Sequence, residues 1–179
     1  MELKGSKTEA NLMEAFAGEA QAHTKYQYYA SKARKEGMNQ IADIFEETAR
    51  NEREHAKLWF KFLHNGEVPA TEVNLQAAAD GENYEWNEMY KGFAEVAKQE
   101  GFTRIAKLFE MVGVIESEHE TRYLKFLENL KTGRIFAKED AVLWKCGNCG
   151  HIHYGSTAPE VCPVCEHPKA YFEVKAENY

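Results

Sequence analysis

Apolar residues recur at steps of three and four along most of the first 130 positions, the period of helices with one buried face. Between Asn39 and His64 the stripe runs Ile41, Ile44, Phe45, Thr48, Glu52, His55, Trp59, Phe62. Between about Thr103 and Lys131 it runs Ile105, Leu108, Phe109, Val112, Glu116, His119, Tyr123, Phe126. A third stripe, Leu12, Ala15, Glu19, Ala22, Tyr26, Tyr29, predicts a helix that opens at Ser6 and ends at Gly37. Ser6 and Glu9 there match a capping box, and Gly37 a helix stop. A fourth, Glu82, Glu85, Met89, Phe93, Val96, predicts a helix from near Gly81 to Gly101. The links at Gly37 and Gly101 are short, so each pair of helices reads as an antiparallel hairpin.

The two hairpins are copies of one another. Lys35–Leu63 laid over Gln99–Leu127 gives 12 identities in 29 positions without a gap. The connection between them, residues 65–80 with Gly66 and Pro69, is long enough to run along the bundle as a crossover. The expected fold is mainly α, a ferritin-like four-helix bundle with one long crossover. It occupies residues 1–138, and a small four-cysteine domain occupies residues 139–179.

In each hairpin the apolar stripe is interrupted by Glu-x-x-His: Glu52 with His55, and Glu116 with His119. A lone pair of this kind is usually solvated. Two copies in one register, with Glu residues on both other helices, point elsewhere. Buried carboxylates cost several kcal/mol each unless paired or metal-bound, and these stripes carry no Lys or Arg. One Glu from each of two helices and a Glu-x-x-His from each of the others is the donor pattern of dinuclear carboxylate sites in helix bundles. Oxygen-rich donors with two imidazoles suit iron or manganese better than copper or zinc.

The third helix offers Glu82, Glu85 and Glu88. Glu19 stands 18 residues before Gly37, whereas Glu82 stands 19 before Gly101. Glu82 is therefore the twin of Glu19, with one extra residue absorbed as a π-bulge. Glu85 matches Ala22 on the first helix, and would add a seventh ligand on one side only. Glu88 reads as a peripheral acid. Tyr26 and Tyr90 stand about two turns past Glu19 and Glu82. They are either core aromatics or donors of hydrogen bonds to ligand carboxylates.

Charge and composition narrow the class. The net charge is −7 and no basic tract stands out, which argues against a nucleic-acid partner. The start lacks an apolar core, and no apolar run nears the length of a membrane span, so a cytoplasmic protein is expected. All four cysteines lie in the last 35 residues, as Cys146-x-x-Cys149 and Cys162-x-x-Cys165, with 12 residues between the pairs. Four thiolates so spaced bind zinc or a single iron. Trp144, Tyr154, Tyr171 and Phe172 are the expected core of this domain. His151, His153 and His167 are assigned no metal.

The segments AFAGEAQAHTKY, NEREHAKLWFKFL, GENYEWNEMY, ESEHETRYLKFL and KCGNCG with CPVCEHPKAYFE resemble the rubrerythrins over essentially the whole chain. That resemblance implies a ferritin-like di-iron domain followed by a rubredoxin-like one-iron domain. Glu19, Glu52, His55, Glu82, Glu85, Glu116 and His119 would hold two irons with oxide and carboxylate bridges. Cys146, Cys149, Cys162 and Cys165 would hold the third. It further implies that Glu85 and His55 trade places as the iron redox state changes. The implied activity is an NADH-linked peroxidase protecting against oxidative stress. It would reduce hydrogen peroxide with electrons passed from rubredoxin or a reductase through the one-iron domain. A homodimer or larger oligomer is implied too. Two other readings remain open: a ferroxidase or iron-handling protein using the bundle alone, and a zinc-ribbon module with an inert bundle. One departure is Glu166, which follows the second cysteine pair where free rubredoxins have glycine.

Overall fold

The computed structural model describes residues 2–178. The chain divides into two compact units, Met1–Pro69 and Ala70–Tyr179.

The first unit is a helical hairpin of α1 (Lys7–Lys35) and α2 (Asn39–Leu63). Ser6 caps α1, its hydroxyl accepting the Glu9 backbone N–H at 3.1 Å. The return arm of the expected box goes one residue further out: Glu9 Oε2 accepts from the Gly5 N–H at 2.6 Å. The Ser6 N–H donates instead to Leu3 O. The turn closes through Gly37 at φ 79°, with Met38 N–H donating to Ala33 O at 2.9 Å and Gly37 N–H to Arg34 O at 3.0 Å. Only glycine takes this left-handed position without strain. Close packing of the hairpin falls to small residues, with Ala30, Ala33, Ala42, Ala49 and Ala56 buried.

The second unit holds α3 (Thr71–Tyr84), a π-helical turn (Glu85–Met89), α4 (Tyr90–Gln99) and α5 (Thr103–Lys131). The first three follow without a break as one helical rod. Gly101, at φ 85°, repeats the Gly37 turn bond for bond: Phe102 N–H donates to Ala97 O and Gly101 N–H to Lys98 O. The expected start of this rod near Gly81 is ten residues late. Residues 71–80 are helical, and the connection to α2 shrinks to residues 64–70. The expected π-bulge is present, at Glu85–Met89.

After α5 come β1 (Ala137–Cys146), β2 (Ile152–Thr157), a short 3-10 turn (Lys169–Tyr171) and β3 (Phe172–Val174). They form an antiparallel sheet in the order β2-β1-β3, with Trp144 opposite both His153 and Val174. Its core is Trp144, Phe172, Ala158, Cys146 and Cys162. Tyr154 and Tyr171, expected in that core, are exposed: Tyr154 stands on β2, and Tyr171 ends the 3-10 turn with its ring edge-on to His167.

The helical stripes depart most from expectation. Ile41, Ile44 and Phe62 are 50%, 58% and 57% exposed, and their repeat partners Ile105, Leu108 and Phe126 are 45%, 50% and 52% exposed. Each helical hairpin packs through its alanines and leaves the apolar stripe uncovered. No described residue is both buried and charged. No helix among the described residues is long and apolar enough to cross a membrane.

Candidate metal centres

The Glu-x-x-His spacing puts both side chains on one helix face. In α2, His55 Nδ1 lies 2.8 Å from Glu52 Oε2, and Glu19 Oε1 of α1 reaches within 3.8 Å of the same nitrogen. In α5, His119 Nδ1 lies 2.7 Å from Glu116 Oε2, and Glu82 Oε2 of α3 stands 3.7 Å away. The duplication seen in the sequence is thus a duplication of geometry. Each cluster offers two carboxylates and one imidazole with ligand atoms within 4.8 Å of one another.

These clusters are half-buried rather than buried, and the His55 side chain is 51% exposed. The expectation of costly buried acids therefore fails within one chain, for the same reason that the apolar stripes are exposed. Among the described residues, the ion-pair partners of the four carboxylates are these two imidazoles alone. Burial, and next the charge of Glu116, hold Glu82 above the ordinary carboxylate range. Acids crowded without a cation, beside imidazole, are the chemistry of a site for a hard or borderline metal.

Glu85 does not join the three-donor cluster. It stands in the π-turn, near enough to raise Glu82 and Tyr90 through its charge. Glu88, in the same turn, is exposed. Tyr90 is pushed up first by burial, then by Glu85, Glu116 and Glu82. Its ring packs against Phe93 and Phe109, as the ring of Tyr26 does against Tyr29 and Phe45. Neither hydroxyl is hydrogen-bonded to a carboxylate among the described residues.

One feature went unread in the sequence. Glu120 accepts from Trp86 Nε1 at 2.6 Å and from Asn83 Nδ2 at 2.9 Å, clamping α3 and the π-turn to α5 beside the cluster. Trp86 stands four residues after Glu82. Its counterpart His23, four after Glu19, bonds through Nδ1 to Ala49 O of α2 at 2.7 Å. The shared offset from the two Glu residues is the signal that could have found both.

The four cysteines converge. Cys146 Sγ and Cys165 Sγ are 3.8 Å apart, and Cys149 Sγ and Cys162 Sγ 3.6 Å. A disulfide needs about 2.05 Å. Four sulfurs around one metal at about 2.3 Å stand about 3.8 Å apart, so the cluster fits a tetrahedral ion. The two knuckles copy each other: Cys146 N–H donates to His151 O and Gly150 N–H to Cys146 O, while Cys162 N–H donates to His167 O and Glu166 N–H to Cys162 O. The Cys165 thiol is lowered to about 6, chiefly by the His167 backbone N–H. The corresponding His151 backbone bond also lowers Cys149, but burial and the other three thiols outweigh it and raise that group to about 12. Without metal the cluster thus favours one thiolate, which a cation would multiply. His151, His153 and His167 are not among the clustered metal donors.

A family model described as Rubrerythrin matches residues 10–127, and one described as the rubrerythrin rubredoxin-like domain matches residues 144–173. The chain is 50% identical to the rubrerythrin of Nitratidesulfovibrio vulgaris, over 99% of this chain and 98% of that one. It is 48% identical to rubrerythrin-1 of Clostridium acetobutylicum, over 99% and 98%. A solved structure of nigerythrin in a mixed-valence state is 34% identical, over 97% and 91%, with a TM-score of 0.36.

Proposed function

The chain belongs to the rubrerythrin family, and on that premise we propose that it is a peroxidase that reduces hydrogen peroxide to water. It is an iron-binding oxidoreductase with ferritin-like and rubredoxin-like domains, carrying donors for a di-iron site and a four-thiolate iron site. One observation carries the peroxidase reading. Two matched three-donor clusters and a four-thiol cluster occur in one chain.

The conversion of one peroxide and two protons to two waters consumes two electrons, which a pair of ferrous ions supplies when bound, while a thiolate-held iron supplies them singly. Glu19, Glu52, Glu82 and Glu116 would hold the pair, with His55 and His119 completing the two ends. Four carboxylates match the charge of two ferrous ions, and Glu85 adds a fifth acid on one side. We assign Glu85 and His55 to exchange as ligands. Glu85 stands outside the three-donor cluster, and His55 is exposed enough to swing. Glu120, by holding Trp86 and Asn83, keeps the π-turn that carries Glu85 against α5. Cys146, Cys149, Cys162 and Cys165 would hold the electron-entry iron. The physiological donor is a redox protein of rubredoxin or reductase type, linked to NADH. A ferroxidase reading leaves the four-thiol domain without a task.

The test is stopped-flow mixing of the fully reduced, iron-loaded protein with peroxide and, separately, with dissolved oxygen. Oxidation by peroxide should be much the faster. Equal rates would remove the peroxidase reading.

A further inference from the structure

We infer that the first helical hairpin carries an oxyanion site, fitted to hydrogen phosphate, in a cleft between α1 and α2. The cleft has a volume of about 280 Å3 and is lined by His23, Gln27, Glu46, Ala49, Arg50 and Arg53. It lies wholly within Met1–Pro69, and none of its lining residues is one of the clustered metal donors. In a chain of net charge −7, two guanidinium groups on one cleft run against the average. Its one acid, Glu46, is already taken: Arg34 reaches Oε2 at 2.8 Å and donates through Nε to Oε1 at 3.1 Å. Arg53 donates to Glu54 Oε1 through Nε and one terminal nitrogen, at 3.2 and 3.1 Å, which leaves its other terminal nitrogen. Arg50 and the Gln27 amide have no hydrogen-bond or ion-pair partner among the described residues.

His23 selects the kind of oxyanion. The Ala49 carbonyl can only accept, so the ring donates to it through Nδ1, at 2.7 Å. That bond fixes the tautomer of the neutral ring and leaves Nε2 as an acceptor. Sulfate offers that nitrogen only lone pairs. Hydrogen phosphate brings one P–OH to donate to Nε2, and three further oxygens for the guanidinium groups and the Gln27 amide. The planar fork of an arginine takes two of those oxygens at once. The second hairpin is an internal control. A cleft stands at the same place in it, where Arg50 becomes Val114, Arg53 becomes Ser117 and His23 becomes Trp86. Glu46 keeps its kind as Glu110, and Ala49 becomes Gly113. The one base of that twin cleft, Lys91, lies 5.0 Å over the Trp86 ring and donates to Asn87 at 2.9 Å. The same helical frame therefore stands without guanidinium groups at these positions, so packing does not call for Arg50 and Arg53.

Calorimetric titration of the full-length, iron-loaded protein at pH 8 tests this, with sodium phosphate, sodium sulfate and sodium glycerol 3-phosphate as probes. At that pH sulfate and the phosphate monoester have no acidic proton left to donate. Phosphate should bind, and the other two should bind at least about fivefold more weakly, for want of the hydrogen bond to Nε2. Arg50→Ala should weaken phosphate at least about tenfold. Arg50→Lys keeps the charge but loses the fork, and should fall between that variant and the wild type. Arg50 is exposed, so both variants should keep native helicity and iron content, checked by circular dichroism and metal analysis. Sulfate bound as tightly as phosphate would overturn the proposal, since it would mark a general attraction of anions to exposed arginines. Undiminished phosphate binding in the folded Arg50→Ala protein would also overturn it, by placing the ion elsewhere, on iron for example. So would a wild type that takes up no phosphate at millimolar concentration.

Discussion

At the scale of single residues, the chain shows what a special backbone position costs when the usual residue is absent. Gly150 and Glu166 hold the same place in the two cysteine knuckles, one residue past the second thiol, with φ 78° and 61°. Both N–H groups bond to the first cysteine's carbonyl, at 2.9 and 3.0 Å. The left-handed region costs a side-chain-bearing residue about 1–2 kcal/mol. Replacing it by glycine gives back about 0.5–1 kcal/mol in unfolded-chain entropy. Glu166→Gly should therefore stabilise the iron-loaded tail by about 0.5–1 kcal/mol. The midpoint of guanidinium-induced loss of the thiolate–iron colour should rise, and a lowered midpoint would contradict the account. The departure was visible in the sequence as a missing glycine. That the backbone keeps the left-handed shape regardless is a matter of the repeated hydrogen bond, which the sequence does not display.

At the scale of elements, the repeat made most of the site legible. Register alone equated Glu52 with Glu116 and His55 with His119. The one-residue excess between Glu82 and Gly101 called for a π-turn without saying where, and it falls at Glu85–Met89. The start of α3 was not legible, because residues 71–80 lack an apolar period and Gly81 resembles a boundary. Propensity won there: the alanine run carries the helix through a glycine that costs about 1 kcal/mol. The exposure of Ile41 and Ile105 was not legible either, since an amphipathic stripe states that it needs a cover and not which chain supplies it. The π-turn itself invites a test. Deleting Asn87, an exposed residue within it, should restore an ordinary α-helix with the same 18-residue spacing to the turn glycine that Glu19 has, so that Glu82 keeps its register. Helicity should persist, because Tyr90, Phe93 and Phe109 still pack α4 on α5. Glu82 should stay beside His119 while Glu85 loses its place in the wide turn, so bundle iron and tail iron should be kept and peroxide-driven turnover should fall at least tenfold. Wild-type turnover in the deletion variant would show that the turn is incidental to the placing of Glu85.

At the scale of the whole molecule, the question is whether the two kinds of centre form one device. The tail's thiols are organised by their own sheet, with Trp144 buried beneath and its Nε1 donating to Gly155 O at 2.9 Å. Nothing in that packing depends on Glu19 or Glu116, so the four-thiol site can be damaged without touching the bundle donors. Cys149 is the residue to change, because it is exposed where Cys146 and Cys162 are buried, and its replacement leaves the tail core intact. Cys149→Ser leaves three thiolates and a weak oxygen donor, which shifts the potential or empties the site. If the tail delivers electrons, the variant's reduced bundle should still be oxidised once by stoichiometric peroxide at the wild-type rate. Turnover driven by an external donor should fall at least tenfold. If the tail is structural, turnover should survive and only thermal stability should change. Following both the single oxidation and the steady state in one preparation separates these outcomes, since a misfolded bundle would lose the first as well as the second.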